Sequence, residues 1–539
     1  MLNQIECPKK RTQIIKGVTY VYEDYPYWDK QRKQNRHRRV YVGKLGNDGN
    51  FIPNRKYLDR HDAAKGERSA VVPPKTATRK YFGAVHLLNE ISKITGIEAD
   101  LKVCFPHTYR VVMSLVYYLV LESESPMYRF SRWTYDHWHP ANENLSSQRI
   151  SELMRNISED AKLKFCKNQS KRRQESEYLA YDTTSVSSLS EYIKAAKYGK
   201  NKDGEPLPQV NLALVFGEES GMPVYYRVLP GNIQDVTTIK KLLKDVEFLE
   251  IKKLKLVMDR GFYSAKNINA LYKGNYKFLI SVKLGIKFIS NLLEAKRESI
   301  KSFNNYDEEH EIYTSHSTEK WKYLETDKKG NILKEETRKI YVHLYYNGMR
   351  AEEEKTRFIK ALRKAEIALK ESEDDSERHN TLVEQYFDVK RTPEQGIQIT
   401  YREEAIAQRL MEFGYFALLS NEISESRKAI ETYRKKDMVE KAFDNLKEKL
   451  EMKRTRVHSD ATLAGKFFLQ FIALMYVSYI HKYMKQNNLY QNYTMQSLLD
   501  TLDVIERYEY EGHKYHCGEI TEKQRELYAF FNAQIPNTL

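Results

Sequence analysis

Two aspartates in this chain close short apolar runs: Asp182 follows Leu179-Ala180-Tyr181, and Asp259 follows Leu256-Val257-Met258. An ionised carboxylate beside a core costs several kcal/mol unless something compensates it. A shared divalent cation is one such compensation. If the two runs are neighbouring parallel strands, about 4.8 Å apart, both carboxylates emerge at the same end of a sheet and can hold a common cation. A third acid, Glu440, lies in "YRKKDMVEKAFDNLK". At about 100° per residue, Tyr433, Lys436, Glu440 and Lys447 fall in one narrow stripe of a helix. Met438, Ala442, Phe443, Leu446 and Leu450 fall on a different face, which must pack on a core. Arg260, directly after the second aspartate, is a candidate to assist there or to form a structural ion pair. Paired carboxylates also serve glycoside hydrolysis, a reading that leaves the basic charge and Lys447 without a role.

The elements that must position these residues can be read from pattern. "YLAYDTTSV", "VNLALVFG" and "MPVYYRVL" read as three strands joined by short connections, an antiparallel meander. "DVTTIKKLLKDVEFL" follows as a helix with an N-cap at Asp235, then "LKLVMDRG" as a fourth strand. "SAKNINALYK" is a helix capped by Ser264, and "YKFLISVK" is a fifth strand. This order of elements is that of an RNase H-like fold, in which the fourth strand lies beside the first; that step is fold analogy. Residues 286–400 mix charged helices with strands and are expected to leave the sheet as an insertion. "FGYFALLSNE" then returns as a strand, and one long helix opens at "SESRKAIETYRKKDMVEKAFDNLKEKLEM".

The 539 residues exceed one ordinary core, and 41% hydrophobic content marks a folded chain. The formal charge of +15 points to a polyanionic partner, most simply nucleic acid. Basic clusters occur in "PKKRTQIIK", "DKQRKQNRHRR" and "KNQSKRRQ". Cys7, Cys104, Cys166 and Cys517 lack the spacing of a zinc site or disulfide framework, which argues for a reducing compartment. The apolar segment 467–480 carries Gln470 and reads as a core helix, so no membrane association is expected.

The stretch "YRKKDMVEKAFDNLK" resembles the Y-x2-R-x3-E-x6-K signature of one branch of bacterial insertion-sequence DDE transposases. Tyr433, Glu440 and Lys447 match it, and Lys436 stands where that branch has arginine. "YLAYDTTSV" and "LVMDRGFYS" are similar to the two aspartate motifs of the family, and the stretch between them contains "GNIQD", similar to its GNxxD region. The resemblance implies an RNase H-like catalytic core interrupted by a mixed α/β insertion. It implies catalysis by Asp182, Asp259 and Glu440, holding two Mg2+ ions for which Mn2+ can substitute. Tyr433, Lys436, Lys447 and Arg260 become candidate DNA-phosphate contacts, and Trp321 in the insertion a candidate for stacking on a base. The expected partners are double-stranded DNA, as terminal repeats and target, and a second protomer in a homodimeric synaptic complex. The expected setting is the bacterial cytoplasm. The expected organisation is a basic β-rich region over 1–80 and a helical DNA-binding region over 81–170. The core is divided between 171–285 and 401–485 around the insertion at 286–400, and a helical C-terminal region at 486–539 is a candidate for dimerisation. A catalytically spent DNA-binding regulator is the alternative.

Overall fold

The computed structural model describes residues 9–29, 34–46, 48–58, 77–123, 125–172, 177–251, 253–327, 331–371, 381–392, 396–450, 452–510 and 514–537. Cys7 lies outside the described residues. The chain forms two compact units, residues 1–77 with 510–513, and residues 78–509 with 514–539.

The smaller unit is a four-stranded antiparallel sheet in sequence order: β1 (Lys9–Ile15), β2 (Val18–Asp29), β3 (Gln34–Leu45) and β4 (Phe51–Pro53). Lys16 and Gly17 both take positive φ, 48° and 79°. That is the two-residue turn whose twist suits a tight hairpin. Asp24 is buried, and its carboxylate accepts Arg11 at 2.8 Å and His37 at 3.2 Å.

The larger unit opens with helices α1 (Gly83–Thr95), α2 (Ile97–Cys104), α3 (Tyr109–Leu121), α4 (Ser147–Asn156) and α5 (Glu159–Lys171). The helical character expected for this stretch is observed. A mixed sheet follows, from β5 (Leu179–Ser188), β6 (Gln209–Gly217) and β7 (Pro223–Pro230) through helix α6 (Asp235–Phe248) to β8 (Lys255–Met258). Helix α7 (Ala265–Lys273) then leads to β9 (Lys277–Val282). Ser264 caps α7 through its side chain, as expected, whereas Asp235 is the first residue of α6 and makes no cap bond. β5 pairs antiparallel with β6 and parallel with β8, in the register Leu179–Leu256, Ala180–Val257 and Tyr181–Met258. The five strands lie in the order β7-β6-β5-β8-β9, with first and fourth adjacent.

The insertion does not leave the sheet, contrary to the sequence expectation. Strands β10 (Tyr306–Asp307), β11 (Ile312–Thr326) and β12 (Ile332–Tyr346) extend it, and helix α8 (Gly348–Glu371) and a separate hairpin of β13 (Phe387–Thr392) and β14 (Gly396–Tyr401) project from it. The join is β15 (Tyr415–Ser420), which pairs antiparallel with β9 on one side and β12 on the other. Its buried Ala417, Leu418 and Leu419 suit a strand with neighbours on both edges.

After β15 come α9 (Ser426–Arg434), α10 (Asp437–Glu448), the short β16 (Arg454–Thr455) and α11 (Asp460–Gln486). Helix α10 packs on β5 and β6. Helix α11 is long and apolar enough to cross a membrane, yet 89% of its apolar window is buried in the fold, where it packs on α3, α4 and β7. It is a core helix, as its Gln470 suggested. The Gln470 amide is fully buried and donates to the Leu450 carbonyl at 2.6 Å, tying the core helix to the end of the glutamate helix.

Gly465 lets α11 approach α4: a Cβ there would stand 2.1 Å from the Met154 carbonyl oxygen. Gly465→Ala must therefore push the helices apart, and about 1–3 kcal/mol of stability is expected to be lost. Urea unfolding of the two proteins, compared by midpoint at equal slope, measures this.

Candidate active site

The register of β5 and β8 fixes the first two acids. Tyr181 and Met258 are paired, so the next residues, Asp182 within β5 and Asp259 just past the end of β8, stand at the same level. The third acid comes from α10, which is held against β5 by buried Val439, Ala442, Phe443 and Leu446.

The long helix expected here is two helices. α9 ends at Arg434 and α10 begins at Asp437, and the Lys436 N–H bonds the Tyr433 carbonyl at 3.1 Å, a tighter turn than the α-helical one. The break separates Tyr433 from the stripe formed by the other three. From α9, the Tyr433 hydroxyl donates to Asp259 Oδ1 at 2.9 Å. At the start of α10, the Lys436 ammonium donates to Glu440 Oε1 at 3.0 Å and lies 3.8 Å from Asp182 Oδ2. Those two carboxylate oxygens are therefore no further apart than the sum of the two distances.

Lys202, from the connection between β5 and β6, brings a second cation, with Nζ 3.4 Å from Asp182 Oδ1 and 3.9 Å from Asp235 Oδ2. The same ammonium donates to the Thr183 carbonyl. Asp235 accepts the Thr183 hydroxyl at 2.6 Å, which occupies the side chain expected to cap α6. Next in sequence, Asp203 receives the Lys447 ammonium on both oxygens, at 2.5 and 2.7 Å, and Glu205 receives Arg454 at 2.9 Å. Lys202, Asp203 and Asp235 were not anticipated as site residues. Their contacts join parts of the chain far apart in sequence, and a charged turn alone does not announce them.

The two aspartates respond oppositely to this setting. Burial raises the Asp182 carboxyl above its ordinary value, with Lys202, Lys436 and the Thr183 N–H only partly offsetting it. Burial acts on Asp259 too, but the Arg260 backbone N–H, Lys436 and the Tyr433 hydroxyl outweigh it and hold Asp259 below its ordinary value. Burial, reinforced by the Asp259 charge, pushes the Tyr433 hydroxyl well up, so it stays protonated as a donor.

The structure places the other candidate residues as follows. Tyr433 is engaged with Asp259, and Lys436, buried at 4% exposure, faces Glu440 and Asp182. Lys447 is paired with Asp203. Trp321 is packed in the sheet, its indole N–H donating to Asn269 Oδ1 at 2.8 Å and its ring edge-on to Phe288, so no ring face is offered to a base. Arg260 is exposed on the wall of a cavity of about 1270 Å³ that also reaches Asp259 and Tyr433. Seven basic and five acidic residues line that cavity, a balance that favours an anionic occupant.

Among the described residues, no three of His, Cys, Asp and Glu stand together as a ready set of metal ligands. Here Lys436 lies among the acids. The donors nonetheless fit a hard cation in kind: they are carboxylate oxygens, and they already hold two ammonium groups.

A mixed sheet whose adjacent strands bring two carboxylates to one level, faced by a third on a helix, defines an α/β protein with an acidic centre beside its sheet. The family model described as Transposase DDE domain matches residues 167–476, more than half of the chain, and the chain belongs to that family of transposases. No curated protein matches it. Among solved structures, a piggyBac transposase synaptic complex with hairpin DNA is similar at 10% identity and a TM-score of 0.33, over 83% of this chain and 75% of that one. The Mos1 mariner paired end complex with Mn is similar at 14% identity and a TM-score of 0.14, over 42% and 68%. Scores this low carry no argument about the fold.

The raised Asp182 carboxyl means that the folded chain holds this proton more tightly than the unfolded chain does. Stability attributable to Asp182 therefore falls as pH rises above the unfolded carboxylate value of about 3.9. With EDTA present, Asp182→Asn is expected to gain stability relative to wild type as pH rises from about 4 towards neutrality. Urea midpoints across that range measure the change.

Proposed function

We propose that this chain is an insertion-sequence transposase of the Y-x2-R-x3-E-x6-K branch. On this reading it binds the terminal inverted repeats of its element as a homodimer, and it cuts and rejoins DNA strands at Asp182, Asp259 and Glu440. The observation that carries the reading is the Tyr181–Met258 pairing, which brings two acids of the matched family region to one level beside Glu440. The strand order β7-β6-β5-β8-β9 supports an RNase H-like core. Two Mg2+ ions held by the three acids, with Mn2+ able to replace them, would supply an activated oxygen nucleophile and stabilise the leaving 3′-oxygen.

The chain's own residues do the positioning. Tyr433 fixes Asp259 by donating to Oδ1. Arg260 on the cavity wall meets the phosphate backbone, and Lys447 joins it after exchanging Asp203 for a phosphate. The Lys447–Asp203 bond thus holds a phosphate contact in reserve.

A labelled duplex carrying the end of the element that encodes the chain, incubated with the protein and Mg2+, is expected to be cleaved. Asp182→Ala and Glu440→Ala should each lose more than the about 100-fold that removing an outer-shell partner costs. Equal cleavage by wild type and both variants would overturn the assignment.

Asp203→Asn frees Lys447 from its competitor. DNA affinity at fixed salt is expected to rise about two- to five-fold, the worth of a partly exposed ion pair. Adding Lys447→Met should cancel the gain. Fluorescence anisotropy with a labelled duplex reads both effects.

A further inference from the structure

The position of Lys436 has a consequence beyond holding the site together. Its side chain is one-twentieth exposed, and an ammonium buried to that degree costs several kcal/mol unless it is paired. Its pairing is with the acids of the site: Glu440 at 3.0 Å, Asp182 at 3.8 Å, and the Asp259 charge nearby. Lys436 lies in the two-residue break between α9 and α10. Its backbone is therefore set by the turn, while its four-carbon stem carries the charge into the cluster. A lysine is suited to this, being a compact point charge on a flexible stem. The space between the carboxylates thus holds one positive charge that belongs to the chain.

We propose that Lys436 is a tethered cation that holds Asp182, Asp259 and Glu440 together in the metal-free chain and competes with divalent metal for them. The inference rests on the reading of these acids as metal ligands. Metal entry then requires the ammonium to leave. The carboxylates exchange one cation for another of higher charge, and the largely buried Asp182 is never left without a counterion beside the exposed Glu440. Lys202 does not replace Lys436 in this role, because it is more exposed and contacts Asp182 and Asp235 rather than Glu440.

The test uses the full chain stripped of metal and titrated with Mn2+ by calorimetry. Lys436→Met, similar in length but uncharged, is expected to bind Mn2+ about ten-fold more tightly than wild type, as removal of a neighbouring like charge predicts. In EDTA the same variant should unfold at lower temperature than wild type and be raised further by Mn2+. Lys436→Arg, which keeps the charge, should stay close to wild type. Binding by Lys436→Met that is equal to or weaker than wild type overturns the proposal. If wild type binds no Mn2+, or Asp182→Asn binds as wild type does, the metal-ligand reading itself fails and the proposal falls with it. A measurement on the unmutated chain guards against a variant that does not fold: acylation of Lys436 by an amine-reactive reagent, read by mass spectrometry. Protection in EDTA and modification in Mn2+ support displacement, and equal protection in both rules it out.

Discussion

Carboxylates brought together in a half-buried space repel one another, and the centre of this protein is organised by that repulsion. The sheet cannot pair Tyr181 with Met258 without also bringing Asp182 and Asp259 to one level. Each acid is then met by a different means. Asp259 receives the Tyr433 hydroxyl and the Arg260 backbone N–H, and its proton is lost more readily than usual. Asp182 has the Thr183 N–H and two ammonium groups, yet burial still keeps its carboxyl above the ordinary value. Two acids shifted in opposite directions on adjacent strands mark a candidate functional site.

A second ring of charge surrounds the first. The turn at 201–205 is tied to β5, with Asn201 donating to Ser187 and the Lys202 N–H to Ser185. From that anchor it sends Lys202 towards the acids, and Asp203 and Glu205 towards Lys447 and Arg454. One short segment therefore answers both signs of charge at the site. The formal excess of +15 is consequently not a set of bare cations waiting for DNA. On the proposed reading, binding a polyanion near the centre would be an exchange of partners, with less affinity than a count of lysines suggests.

Much of this framework was legible in the chain. Strands β5 and β8 announce themselves as apolar runs ending in aspartate, and α10 as an amphipathic helix carrying Glu440. The unread parts share a cause: their determinants are distant in sequence. Whether β11 and β12 join the sheet is decided by β15, nearly seventy residues later, which pairs with β9 and β12 at once. Trp321 reads the same from sequence whether it stacks on a base or packs on Phe288 and bonds Asn269. The break at Lys435–Lys436 is hidden because lysine and arginine are good helix formers and no glycine or proline marks it. Asp235 looks like a helix cap because aspartate usually is one, but its carboxylate is taken by Thr183 on a neighbouring strand.

The break is what allows the acids to be served from two directions. In an unbroken helix, Tyr433, Lys436 and Glu440 would project along one stripe and reach a single point on the sheet. Divided, α9 aims the tyrosine at Asp259 while α10 starts afresh, with Asp437 and Glu440 in its first turn. Carboxylates are favoured there because the unpaired N–H groups of a helix start carry partial positive charge. Glu440 is thus placed where its charge is tolerated before any ligand arrives, and Lys436, one step earlier, adds a full charge to the same end. Arginine at that position would bring a wider planar group that grips two oxygens in a fixed fork. A lysine can stand beside the carboxylates and withdraw, which is what the proposed exchange with metal asks of the residue at this position.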